Sequence, residues 1–107
     1  MKSRKATVTE GSDNVYADLG FADAEERLAK AKLAREIGKL ISKHGLTQAR
    51  AAARLGIDQP KVSALMRGQL SGFSTDRLLR CLVLLGNNVR IVLKASRGRG
   101  HVSVVTG

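Results

Sequence analysis

The sequence predicts a mainly α-helical domain of four to five helices, closed by a C-terminal β-strand or hairpin. Three observations carry this reading. Apolar residues recur at helical spacing from Leu33 to Leu85, in runs that each stop at a glycine. Aromatic residues make up only 3% of the chain while hydrophobic residues reach 43%, so the core must be built from Leu, Ile, Val and Ala, as in packed helices. After Asn87-Asn88 the periodicity changes from helical to two.

Residues 1–21 show no sustained periodicity and are read as a flexible N-terminal arm, with a short apolar patch of Val15, Tyr16, Leu19 and Phe21. A first helix is predicted over 23–44. Asp23 would cap it, Glu26 stands three residues on in a capping-box pattern, and Leu33, Ile37, Leu40, Ile41 and His44 share one face. His44 in the last turn suits the free carbonyls of a helix end, and Gly45 terminates the helix. Thr47 is a good N-cap for a short alanine-rich helix, Gln48 to Leu55, which Gly56 ends. Asp58 caps a second short helix from about Gln59 to Arg67, with Pro60 in the first turn where its missing N–H costs little, and Gly68 stops it. Two short helices joined by a few residues with glycine at the bend form a helix-turn-helix. Ser74 then caps a helix over 74–85 with Leu78, Leu79, Leu82 and Leu85 inward. Val89, Ile91, Leu93 and Ala95 alternate with Arg90, Val92 and Lys94, SRGRG reads as a turn, and HVSVV as a second strand. The expected division is therefore an arm (1–21), a helix-turn-helix domain (22–87) and a strand or hairpin (88–107). Because a lone hairpin is marginal and leaves open edges, the last segment is expected to be the dimerisation element.

Charge narrows the function. Nineteen basic residues against nine acidic ones give +10, and residues 88–107 carry four basic groups and no acidic one. A polyanionic partner is the simplest explanation of such a bias. The single cysteine, Cys81, allows neither an intrachain disulfide nor a cysteine cluster for metal, and its place in LLRCLVLLG reads as a small core residue. The polar start MKSRKATVTEGSDN lacks the apolar stretch of a secretory signal, and no apolar run approaches a membrane span. A cytoplasmic protein is expected, with no membrane partner. No constellation of His, Cys and carboxylates, phosphate-binding glycine loop or nucleophile elbow is present, so neither an enzyme nor a cofactor nor a metal site is expected.

The stretch LTQARAAARLGIDQPKVSALMRGQ, residues 46–69, resembles the XRE-type, lambda-repressor-like helix-turn-helix family. The resemblance lies in Leu46-Thr47-Gln48 opening the first motif helix, Ala52 facing the second, Leu55-Gly56-Ile57 at the turn, Gln59-Pro60-Lys61-Val62-Ser63 opening the recognition helix, and Leu65 with Arg67-Gly68 closing it. With its flanks, including LLRCLVLLGNNVRIVL, it is similar to small family members that act as antitoxins of toxin–antitoxin pairs. The resemblance implies a repressor that reads double-stranded DNA in the major groove, and that Gln48 binds a backbone phosphate beside the groove. Residue chemistry agrees. Val62, Leu65 and Met66 offer an apolar anchor, and Gln59, Lys61, Ser63 and Arg67 an outward polar edge. Gln pairs with adenine and Arg or Lys with guanine, and the helix N-terminus meets the bases. Gln59, Lys61 and Ser63 are thus expected to read bases and Arg67 to meet phosphate. Arg50 and Arg54 are candidates to track phosphates, as are Thr47 and Ser74 at helix starts and the loop residues Ser71, Gly72 and Thr75.

A monomer with so short a reading head sees few base pairs, so a homodimer on a palindromic operator is expected. The expected function is a sequence-specific transcriptional repressor, an antitoxin that autoregulates its operon and neutralises a small toxin protein through the N-terminal arm. Two alternatives stand beside it. One is a stand-alone phage-type repressor without a toxin. The other is an RNA-binding protein using the basic tail, against which stands the presence of Phe73 as the one aromatic residue of 46–107.

Overall fold

A computed structural model describes residues 21–107. The arm expected over 1–21, with Val15, Tyr16 and Leu19, lies outside the described residues apart from Phe21, which opens the first helix. Four helices follow in order: α1 (Phe21–Lys43), α2 (Gln48–Leu55), α3 (Gln59–Met66) and α4 (Thr75–Leu84). Helix α1 begins before Asp23, so that residue sits inside the first turn rather than at the cap.

The three short helices start by one device. Thr47, Asp58 and Ser74 hold extended backbone and turn a side-chain oxygen back to accept the N–H three residues on, from Arg50 (3.1 Å), Lys61 (3.1 Å) and Arg77 (3.2 Å). Such a cap satisfies one of the N–H groups a helix start leaves unpaired and is worth about 1 kcal/mol. At the bend between α2 and α3, Gly56 adopts φ +69°, where an L side chain is strained, and the Ile57 N–H returns to the Ala52 carbonyl at 3.1 Å. That turn lets α3 follow α2 at once and lie across it.

Helix α1 packs on α3 and α4, and α2 on α3 and α4, around an aliphatic core. Ile37, Val62, Leu78 and Leu85 are fully buried, one or more from α1, α3 and the α4 end. Leu33, Ile41, Ala51, Ala52, Leu55, Leu65 and Leu82 surround them. Phe73, in the α3–α4 loop, is buried in the same cluster. Cys81 is a buried free thiol. Desolvation raises its pKa above the ordinary thiol value, partly offset by the Arg77 charge, so it stays protonated and inert at neutral pH. His44 does not serve its own helix end. Its Nε2 donates to the Leu85 carbonyl, 3.0 Å away at the end of α4, and so ties the two long-range partners α1 and α4 together. Among the described residues no helix is long and apolar enough to cross a membrane.

The C-terminal β-strand or hairpin is not formed. Residues 87–107 contain no strand, and among the described residues no backbone hydrogen bond involves 88–107. The chain after α4 turns back to the helices instead of onto itself: Arg99 Nη2 lies 3.9 Å from Glu25 Oε2 and Val104 packs against the core cluster. The period-two pattern is real, yet Ile91 and Leu93 remain exposed, at 71% and 91%. Alternation records which side chains could share a face. It supplies neither a second strand for the backbone groups nor a surface for that face to cover.

Candidate nucleic-acid interface

Helix α3 is held by two apolar side chains one turn apart. Val62 is fully buried and Leu65 2% exposed, both inside the core cluster. Met66, expected beside them, is 43% exposed and lies over α1, where a Cβ on Gly38 would stand 3.9 Å from its sulfur. With Val62 and Leu65 inward, Gln59 and Arg67 are exposed, and Lys61 and Ser63 are half-buried at the flanks of the same outward face. None of the four is sealed beneath another part of the chain.

Helix starts differ in what they offer an anion. At α2 the cap is the neutral Thr47, no acidic residue occupies the first turn, and the N–H groups of Gln48 and Ala49 have no partner among the described residues. The positive end of the helix dipole is therefore open to a phosphate, with the exposed Gln48 side chain at its edge. At α3 the cap is the carboxylate of Asp58, and Pro60 removes a donor, so the Gln59 N–H alone is left. Phosphate is disfavoured there. At α4 Ser74 is engaged in its own cap and Asp76 stands in the first turn, which also opposes an anion. Arg50, Arg54, Ser71 and Gly72 are exposed and Thr75 is half-buried.

The described structure adds a side-chain cluster that sequence reasoning did not assemble. Arg67 Nη1 donates to Ser63 Oγ at 2.6 Å and Nη2 to Gln69 Oε1 at 3.2 Å. Ser63 and Arg67 are four apart and meet on the helix surface. Gln69 reaches the pair because Gly68 takes φ +75° and the Gln69 N–H bonds the Ala64 carbonyl at 2.9 Å. The signal that could have found it was Gly68 itself, since a left-handed residue after a helix folds the next side chain back over the last turn.

A helix-turn-helix domain family matches residues 15–94. A solved structure whose name places it among XRE family transcriptional regulators is 48% identical, covers 79% of this chain and 99% of its own, and superposes with a TM-score of 0.73. No curated protein matches the chain.

Proposed function

The chain belongs to the XRE-type helix-turn-helix family, and from that premise we propose that it is a sequence-specific DNA-binding transcriptional repressor, with α3 as its recognition helix. The observation that carries this reading is the outward face of α3: Val62 and Leu65 fix the helix from within while Gln59, Lys61 and the Ser63–Arg67 pair stand on the other side. Gln59 and Lys61 read base edges near the start of the helix. Gln48, with the open start of α2, holds a backbone phosphate, and Arg50 adds to the sequence-independent attraction. Phosphate contacts of this kind supply most of the affinity and make it fall with salt.

The protein acts as a homodimer on a palindromic operator. The exposed apolar side chains of the last segment, Ile91, Val92, Leu93, Val102 and Val105, are the reason to place the joint in 88–107. An exposed set of this size on a small chain is unusual unless another surface covers it. The finer reading, an antitoxin that represses its own operon and neutralises a toxin, is supported by the likeness of residues 46–69 and their flanks to small antitoxin members. A toxin gene beside this one, and rescue of cells from that toxin by co-expression, would test it; a stand-alone repressor gives neither. The RNA reading is weakened by Phe73. It is the one Phe, Tyr or Trp among residues 22–107, and burial removes it as a stacking platform.

The decisive experiment is selection from random duplexes followed by footprinting. The expected result is one palindromic motif with half-site centres about 34 Å apart, one turn of DNA. Enrichment of no duplex, or preference for single-stranded RNA, would reject the reading.

A further inference from the structure

We propose that Arg67 is a guanine-reading side chain rather than a phosphate contact, and that Ser63 and Gln69 are positioning residues that hold its guanidinium in the reading pose. The inference rests on the DNA-binding reading above and gives that site a residue and a base. A phosphate needs only a positive charge nearby, so a mobile Arg or Lys serves it. A guanine edge needs two donors in one plane, which a free Arg side chain must be ordered to supply. Here the ordering exists before any ligand arrives. Nη1 is tied to Ser63 Oγ at 2.6 Å and Nη2 to Gln69 Oε1 at 3.2 Å, on opposite arms of the fork.

Both acceptors stand on fixed backbone. Ser63 lies within α3 between the buried Val62 and Leu65. Gln69 is fixed by its N–H bond to the Ala64 carbonyl, and Arg67 by bonds from its own N–H to the Ser63 and Ala64 carbonyls, both 3.1 Å. Both acceptors are also neutral. No ion pair with Arg67 occurs among the described residues, so its full charge remains available. Two of the five guanidinium N–H groups are used, which leaves one on each terminal nitrogen and the Nε–H. The side chain is exposed, at the end of the face that carries Gln59, Lys61 and Ser63. Base reading then extends along the whole of α3, not its first turn alone.

The test uses the full chain and the duplex motif obtained by selection, with all single-base variants of one half-site, measured by fluorescence anisotropy across a salt series. Wild type is expected to prefer G·C at one position by roughly 10-fold or more, as bidentate Arg contacts do. Arg67→Ala and Arg67→Lys should both flatten that position, with the other positions unchanged. Gln69→Ala and Ser63→Ala should lower discrimination there by a few-fold at unaltered salt slope, and Ser63→Thr, which keeps the hydroxyl, should restore it. Thermal melting of each variant shows that the fold is intact, since all three side chains are outside the core. The proposal falls if Arg67→Lys behaves as wild type while Arg67→Ala weakens every duplex alike and lowers the salt slope by about one, the signature of a phosphate contact. It falls alone if a motif is enriched but Gln69→Ala and Ser63→Ala change nothing. If wild type enriches no motif, the DNA-binding reading fails with it.

Discussion

Between Leu33 and Leu85 most apolar side chains on the helices are gathered into one cluster, with Met66, Val83 and Leu84 left at the surface, whereas from Val89 to Val105 most of them face outward. The two regions are similar in apolar content but differ in what the backbone requires. A helix satisfies its own N–H and C=O groups, so an apolar stripe is enough to dock it, and α1, α3 and α4 dock through Ile37, Val62 and Leu78. An extended segment must borrow backbone partners from another strand, and one chain offers residues 88–95 none among the described residues. Each helix is thus docked by its own stripe. Among the described residues the C-terminal segment meets the helices at Arg99, beside Glu25, and at Val104, against the core cluster.

The contrast can be broken first at the centre of the body. Leu78→Ala removes a fully buried side chain at the meeting of the helices and should cost about 2–5 kcal/mol in urea unfolding, a large share of a small domain's stability. Gly56→Ala, at φ +69° with nothing within 4 Å of a new Cβ, adds strain without a clash and should cost roughly 1–2 kcal/mol. His44→Ala leaves the Leu85 carbonyl without its donor and should lower stability by about 1 kcal/mol, with Leu85 amide and neighbours at the α4 end exchanging faster. At the small end, Leu93→Ser in the C-terminal segment should shift unfolding of the dilute monomer by no more than about 0.5 kcal/mol. Its effect belongs elsewhere: sedimentation equilibrium should show weaker self-association. A large loss of monomer stability would mean the segment is part of the body after all.

What could be read from the sequence follows the same division. Thr47, Asp58 and Ser74 were legible as caps, and Gly56 as a stop, because capping is decided within a few residues. The anchors Val62 and Leu65 were legible by spacing, while Met66 was not, since its fate depends on the room above Gly38 of another helix. The start of α1 was misplaced because an acidic residue suits a first turn as well as a cap, and Asp23 occupies the turn. The hydrogen bond of His44 spans 41 positions and Phe73 enters the core from a loop, so neither leaves a local pattern. In the candidate site, Gln59, Lys61, Ser63 and Arg67 could be chosen by face, but the seat of Arg67 between Ser63 and Gln69 needed the turn at Gly68. The expected hairpin is absent because alternation defines a face and not a pairing partner.

If α3 chooses the sequence while the start of α2 grips the backbone, substitutions in the two helices must differ in kind. Gln59→Ala, Lys61→Ala and Gln48→Ala proteins are titrated against the selected duplex and its single-base variants. The first two should lose about 1–3 kcal/mol of discrimination, each at its own base pair, and Gln48→Ala should weaken every duplex by a common factor. Full discrimination retained by both α3 variants would mean that α3 does not read the bases.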